Sequence, residues 1–327
     1  LGETFNLTRE FNAHQARFKE RIRLITSLLD IEETQHPNLQ KTIIYLKREW
    51  EQRRNRATDL ILDLLKDCLT YRASKLLDQA SIDREYRRNE VEIELIATYC
   101  QDLQTREAKK HRALADLYRH ENIEWSEEEN PFERFADDLF SEETWEVFGL
   151  DRKQLLIAGG VAGAASGGAV DLATGGHTAG LGALIGSIVG VTATVLKGRD
   201  LADIKVSSPV SGDLAAGGLS LKAGPPSNPN FPWILLDRAL HQFGQIISRA
   251  HGRRDSFVID FKELSSDGKR LGRSSQLTAA DRKVLQSWFN DLLRKKAAVE
   301  SGIVFETLAR ITEQIEDEAV RREGPTD

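Results

Sequence analysis

The chain has 327 residues, 29% of them charged, and a formal net charge of −6. A chain of this length has room for two or three folded units, and its composition excludes an intrinsically disordered protein. The acidic balance disfavours nucleic acid as a partner, so we expect none.

Two residue types are unusually scarce. The sequence contains no methionine and begins at Leu1, which predicts that an N-terminal portion, and methionines or loops, have been removed from a longer natural chain. The two cysteines, Cys68 and Cys100, fall in separate helical patterns and lack the CxxC spacing of a metal or redox site. We predict that both are reduced thiols in a helical core, in a cytosolic compartment.

Residues 1–120 are predicted to form a stalk or bundle of long helices. Apolar residues at spacings of three, four and seven predict a helix over 8–29. A second helix is predicted to begin at Pro37, which suits a first turn, and to reach Leu77. A third covers 83–120.

Each long helix carries one apolar seam, and in the third helix a polar interval interrupts it. Such seams favour antiparallel packing within one chain, with an intermolecular coiled coil as the alternative. The third seam comprises Ile96, Tyr99, Leu103, Leu114 and Leu117. The charge run Arg53, Arg54 and Arg56 is interpreted as a solvated face.

Residues 121–150 are predicted to be an acidic hinge followed by a short helix. Between 121 and 143 there are ten acidic residues and one basic residue, Arg134. We interpret them as a solvated connector, because the Asp-x-Asp-x-Asp-Gly loop of a calcium site is absent. Binding of a divalent ion or a basic partner is the alternative. The short helix is predicted to begin at Ser141 and to end at Gly149.

Residues 151–199 are predicted to contain a Gly/Ala-rich apolar helical hairpin. Its arms, 154–173 and 178–196, would each be about 28 to 30 Å long as helices, close to the thickness of a bilayer core. Glycines four residues apart would give each arm a small-residue stripe, a glycine zipper, that lets helix backbones approach closely. The stripes comprise Gly159, Gly163 and Gly167 in the first arm and Gly182, Gly186 and Gly190 in the second.

The charges in and around this hairpin predict its topology and a switch. Asp171 is its one formal charge, and a carboxylate in lipid is costly unless it is protonated or paired. His177 is the candidate partner, so the pair is a candidate pH switch, while the alternative is that Asp171 caps the turn in water. Basic residues flank both ends and predict that both face the cytoplasm: Arg152, Lys153, Lys197 and Arg199.

Residues 200–327 are predicted to form an α+β and helical C-terminal part. Short strands are predicted over 204–206, 219–223 and 257–261, and helices over 232–250 and 299–320. Thr278 with Asp281 predicts the N-terminal cap of a helix that reaches Leu293. A basic patch is interpreted as a solvated helix end, with lipid phosphates or the acidic hinge as alternative partners, and comprises His241, His251, Arg253 and Arg254.

Two stretches carry a resemblance to a known family. They read DDLFSEETWEVFGLDRKQLLIAGGVAGAASGGAVDLATGGHTAGLGALIG and LKAGPPSNPNFPWILLDRALHQFGQIISRAHGRRD. Residues 35–255 resemble the uncharacterised C-terminal region of a family of bacterial septin-like or Ras-like GTPases. The resemblance implies a chain that acts with its own G domain or with another GTPase, at the inner membrane.

No catalytic or nucleotide-binding motif accompanies that resemblance. The chain lacks the G-x-x-x-x-G-K-[ST] loop, so GTP and magnesium are expected only in a G domain outside these residues. G-x-S-x-G and HExxH are also absent, and we expect no enzymatic activity, no metal and no cofactor in this chain.

The sequence therefore predicts a mainly α fold, with long antiparallel helices, a glycine-zipper hairpin and a small α+β C-terminal part. The leading hypothesis is a non-enzymatic effector region of a bacterial GTPase, whose hairpin enters or contacts the inner membrane from the cytoplasmic face. One alternative is a cytoplasmic, wholly soluble interaction or oligomerisation module with the hairpin buried as core. A lesser alternative is a pore-forming hairpin protein.

Overall fold

A computed structural model of the chain describes residues 18–29, 36–77, 85–118, 138–140, 144, 148–150, 154, 202–207, 220–248, 272–294 and 301–321. This part of the chain is mainly helical with a small antiparallel sheet, which confirms the predicted fold class. The predicted hairpin falls outside the described residues.

The described elements are six α-helices, three strands and two short 3-10 helices. The α-helices are α1 (Phe18–Leu29), α2 (His36–Thr70), α3 (Glu85–Leu117), α4 (Phe231–Ser248), α5 (Ala279–Leu293) and α6 (Ser301–Arg321). The strands are β1 (Ala73–Leu76), β2 (Ala202–Ser207) and β3 (Ser220–Pro226). The 3-10 helices are Asp138–Phe140 and Arg273–Gln276.

Helices α2 and α3 are antiparallel, as the seams predict. At one end, the Trp50 ring meets the Tyr118 ring edge-on with centroids 5.9 Å apart. At the other end, Tyr71, which follows α2, stacks on Tyr99 of α3 at 5.6 Å. The contact with the lower residue number in α2 thus has the higher residue number in α3, so the two helices run in opposite directions. Four of the five residues of the predicted α3 seam are buried, and so are Cys68 and Cys100, which are both free thiols.

The prediction that the second helix reaches Leu77 is wrong. The helix ends at Thr70, and β1 begins three residues later. The sequence predicted a longer helix because Leu76 and Leu77 continue its apolar spacing. In the structure the backbone of β1 pairs with β3 instead, with Ala73 opposite Ala223. A four-residue strand whose partner lies about 150 residues away has no local signal that could compete with a helix.

The sheet joins a strand that follows α2 to two strands that precede α4. Its strand order is β1-β3-β2 and both pairings are antiparallel. The predicted strands over 204–206 and 219–223 are confirmed as β2 and β3. Because β1 comes from the predicted N-terminal bundle and β3 from the predicted C-terminal part, these two regions share one structure. The division of the chain into four regions otherwise stays a prediction.

Helix α4 lies at the centre of this structure. Its first ten residues, 231–240, are all buried. Trp233 meets Phe289 of α5 edge-on at 5.1 Å, and its indole N–H donates to the Gln286 side chain at 2.8 Å. One continuous hydrophobic core contains residues of α2, α3, α4, α5 and α6. A large apolar helix with neighbours on several sides needs no polar face of its own.

The C-terminal helices follow the sequence signals closely. The Thr278 hydroxyl accepts a hydrogen bond from the Asp281 N–H at 3.2 Å, which confirms the predicted cap of α5. Helix α6 packs against α2, where the hydroxyl groups of Thr312 and Thr58 lie 3.2 Å apart. The predicted strand over 257–261 lies outside the described residues.

Candidate functional site

The residues predicted to carry function in the hairpin all lie outside the described part of the chain. They are Gly159, Gly163, Gly167, Gly182, Gly186, Gly190, Asp171, His177, Arg152, Lys153, Lys197 and Arg199. The structure does describe where the chain leaves for this segment and where it returns. The candidate site is therefore the anchor that holds those two points.

Both points attach to the junction between β3 and α4. On the outgoing side, the Leu150 N–H donates to Oδ1 of Asn230 at 2.9 Å. On the returning side, Ala202 lies opposite Pro226 in the sheet. Pro226 and Asn230 are four residues apart, a span of at most about 14 Å. The points where the chain leaves for the intervening segment and returns from it are thus held at neighbouring positions of the β3–α4 junction.

A second contact holds the outgoing chain at Gln154, four residues after Leu150. The Gln154 side chain donates to the carbonyl oxygen of Ser275 at 3.0 Å, and Arg282 donates to the same oxygen at 3.3 Å. Gln154 is the first residue of the predicted hairpin.

Asp237 is the centre of the anchor. It lies in α4, is fully buried, and accepts three hydrogen bonds. The Gly149 N–H donates to Oδ2 at 2.7 Å, the Ser274 N–H donates to Oδ1 at 2.7 Å, and the Ser274 hydroxyl donates to Oδ2 at 2.6 Å. One carboxylate thereby joins the chain before the apolar segment to the 3-10 helix before α5. Hydrogen bonds to an ionised group contribute about 1.5–3 kcal/mol each.

Two glycines make this arrangement sterically possible. Gly149 has a φ of +85°, a left-handed conformation, and just before it the Phe148 N–H donates to the Thr144 carbonyl four residues earlier at 3.0 Å. That geometry agrees with the predicted helix end at Gly149. Gly272 sits so close to Asp237 that an added Cβ would lie 2.0 Å from Oδ2. Any side chain at Gly272 would therefore displace the carboxylate.

The next residue in α4, Arg238, makes a fully buried ion pair with Glu107 of α3. The Nε atom donates to Oε1 at 2.7 Å and the second guanidinium nitrogen, Nη2, donates to Oε2 at 2.9 Å. Nη1 also donates to the Thr144 hydroxyl at 3.3 Å. Burial raises the pKa of Glu107, and the guanidinium of Arg238 opposes that rise. This bidentate geometry satisfies both oxygens of a carboxylate that has no access to water.

His111 extends the buried polar layer by one helical turn. It is fully buried in α3, and burial together with the nearby Arg238 charge lowers its pKa to about 3. The imidazole is therefore neutral throughout the physiological pH range. Gln242 follows Arg238 by one turn in α4 and is also fully buried. Polar groups thus cross the core between α3 and α4 where the sequence showed a polar interval.

The sequence contained a sign of this buried polar layer, which the spacing of apolar residues alone did not reveal. Positions 103, 107, 111 and 114 continue the three-four spacing of the α3 seam, and Glu107 and His111 occupy its two middle positions. A charged residue at a seam position requires a buried partner. The matching sign in α4 is the pair of charged residues Asp237 and Arg238 within the otherwise apolar run Trp233–Leu240, since these charges also need buried partners.

Two predictions about surface charge are modified by the structure. Arg54, assigned to a solvated face, is mostly buried and donates to Glu316 of α6 at 3.3 Å. Arg56 is exposed, as predicted. Of the predicted basic patch, His241 is half-buried with its ring against Phe148 at 5.7 Å, and the other three members lie outside the described residues.

The polar groups of this anchor bond to one another and hold segments of the chain together. The oxygens of Asp237 and Glu107 face donors of the same chain at hydrogen-bonding distance. In the described ranges, no cluster of three or more His, Cys, Asp or Glu side chains could hold a metal ion. None of the described helices is long and apolar enough to cross a membrane.

Comparison with known proteins assigns the chain to a family. A family model described as a domain of unknown function, DUF3482, matches residues 1–298, which is nearly the whole chain. No curated protein and no solved structure is significantly similar to the chain.

Proposed function

The chain belongs to the DUF3482 family, a domain of unknown function, and from the resemblance of residues 35–255 to the C-terminal region of septin-like or Ras-like GTPases we propose that it is the non-enzymatic effector region of a bacterial GTPase. In this proposal the apolar segment 154–196 contacts or enters the inner membrane from the cytoplasmic face. The helical body couples that segment to the G domain of the same protein or to a separate GTPase.

The observation that carries the membrane part of the proposal is the shared anchor. Leu150 and Ala202 are both held by the β3–α4 junction, and Gln154 is held by Ser275. A segment that leaves the helical fold and returns to it at one place is well placed to form a hairpin that projects from the fold towards a membrane. Two arms of bilayer length between basic flanks add the sequence argument.

Flotation with vesicles tests this proposal directly. Neutral phosphatidylcholine vesicles in 0.5 M salt screen ionic attraction, so binding there reports apolar contact. We expect the full chain to float with these vesicles, and Ile185→Lys with Ile188→Lys to abolish flotation, because charge within an arm is costly in lipid. Ile303→Lys is the matched control, since that residue of α6 is about half exposed.

The opposite result has a clear meaning. If the full chain stays at the bottom of the gradient in every lipid, the membrane proposal fails, and the soluble interaction module becomes the better explanation. Vesicle leakage caused by the full chain at low occupancy would favour the pore-forming alternative.

The non-enzymatic part of the proposal has its own measurement. GTP with magnesium should produce no binding heat in calorimetry, and phosphate release should stay at the rate of buffer alone. Nucleotide binding by this chain would require a phosphate site other than the usual glycine-rich loop, and would overturn the assignment of GTP to a G domain.

A further inference from the structure

The N-terminal half of α2 contributes no fully buried residue to the hydrophobic core. All buried residues of α2 lie from Ala57 onward, and no residue of 36–56 is buried. At 1.5 Å per residue, this half of the helix is about 30 Å long. Its neighbour is α1, whose last carbonyl, at Leu29, bonds the ring of His36. The exposed side of this half-helix is thus available for a contact other than the core.

The two sides of this half-helix differ in composition. One side carries the half-buried seam that faces the rest of the fold: Leu39, Ile43, Leu46 and Trp50. Residues two positions later lie about 200° around the helix, on the opposite side. That side carries residues that are all exposed, and we call them the α2 stripe: Lys41, Ile44, Tyr45, Arg48, Gln52 and Arg56.

The α2 stripe combines positive charge with large apolar side chains. Lys41 and Arg48 lie about one turn on either side of the central pair, Ile44 and Tyr45, which are 66% and 65% exposed. Within the described residues, no carboxylate forms an ion pair with Lys41, Arg48 or Arg56. Residues 36–56 contain six basic and two acidic side chains, so this half-helix is +4 in a chain of net charge −6.

We propose that the α2 stripe binds an anionic lipid surface. Lys and Arg would meet lipid phosphates, while Ile44 and Tyr45 would enter the boundary between headgroups and acyl chains. Tyrosine suits that boundary because its ring is apolar and its hydroxyl is polar. A second copy of the chain is a poor occupant, because two stripes brought together would place like charges opposite each other. This contact is independent of the apolar hairpin.

The test measures partition of the full chain onto vesicles with 30% phosphatidylglycerol in 0.1 M salt. Lys41→Glu with Arg48→Glu should lower the partition coefficient by roughly 25-fold or more, since each basic residue near an anionic surface contributes about fivefold. Raising the salt to 0.5 M should remove the difference. The matched control is Lys109→Glu with Lys283→Glu, two exposed residues off the stripe with the same change in net charge. Circular dichroism verifies that each variant is folded.

A second pair of variants separates lipid from other anions. Ile44→Ser with Tyr45→Ser should weaken vesicle binding several-fold at unchanged charge, because a bilayer rewards apolar insertion. Equal losses in the stripe and control charge variants would overturn the proposal, since net charge alone would then explain binding. Tighter binding to single-stranded RNA at equal phosphate, or a dimer that depends on Ile44 and Tyr45, would also overturn it.

The same measurements distinguish lipid binding by the α2 stripe from membrane contact by the hairpin. Flotation with neutral vesicles at 0.5 M salt depends on the hairpin and should be unchanged in Lys41→Glu with Arg48→Glu. Conversely, Ile185→Lys with Ile188→Lys should retain the salt-sensitive binding to anionic vesicles. Loss of that binding in the hairpin variant would show that the stripe does not bind lipid by itself.

Discussion

Arg238 and Glu107 lie 131 positions apart in the chain and form a bidentate ion pair with no solvent exposure on either side chain. The pair locks α4 to α3 directly behind the anchor of the apolar segment. Taking two charges out of water is costly, and the pair is stable only because each charge offsets the other's loss of solvent.

Breaking this pair from either side should be severely destabilising. We expect Arg238→Met or Glu107→Leu alone to reduce the free energy of unfolding by about 3–5 kcal/mol, because the remaining charge is buried without its partner. The double variant should recover most of that loss. Urea unfolding of all four proteins measures the coupling. Single variants within about 1 kcal/mol of the wild type would show that the charges reach solvent by some rearrangement.

Gly272 should tolerate no side chain. We expect Gly272→Ala to reduce the free energy of unfolding by about 1–3 kcal/mol, because the new methyl group would overlap Asp237 and disturb its three hydrogen bonds. Gly302→Ala is the matched control, since nothing lies within 4 Å of a Cβ at that exposed helical position. The control should change stability by no more than about 1 kcal/mol, in the stabilising direction. Equal effects at the two glycines would contradict the geometry of the anchor.

His111 should make the fold sensitive to acid. Its pKa is lowered to about 3 in the folded protein, so below pH 6.5 the unfolded chain binds a proton that the folded chain does not. Stability from this group is complete above pH 6.5 and is lost as the pH falls towards 3, at up to about 1.4 kcal/mol per pH unit. His111→Gln should flatten the dependence of the melting temperature on pH between 6.5 and 4.5. An unchanged slope would refute it.

Glu316 should affect the pH dependence of stability in the direction opposite to His111. It lies in α6 and accepts hydrogen bonds from Trp50, Arg54 and Tyr118, and burial raises its pKa to about 6. The folded protein therefore takes up this proton before the unfolded chain does. Acidification from pH 6 to 4.5 adds roughly 1 kcal/mol of stability from this group. Glu316→Gln should steepen the loss of stability on acidification, measured on the same melting curves as His111→Gln.

The two cysteines should be inert in the folded protein. Burial raises the pKa of the Cys100 thiol to about 12 and also raises that of Cys68, so the reactive thiolate is scarce at neutral pH. We expect Ellman's reagent to label no thiol at Cys68 or Cys100 in native protein, and both in urea. Rapid labelling of either thiol under native conditions would mean that the α2–α3 interface opens readily.

The sequence by itself determined the features that arise from interactions within a few residues. The three-four apolar spacing predicted α1, α2 and α3 and their antiparallel packing, and the hydroxyl of Thr278 predicted the start of α5. These signals are local, because a helix is built from contacts between residues three and four positions apart and a cap from contacts within one turn.

Only the tertiary structure decided which polar residues are buried and what they hold. Glu107 and Arg238, Gly149 and Asp237, and Arg54 and Glu316 are joined over 88 to 262 positions. It also decided that β1 is a strand, since its partner β3 lies far along the chain. A buried charge or a short strand is stable only beside its complement, and a single sequence contains both partners without stating that they meet.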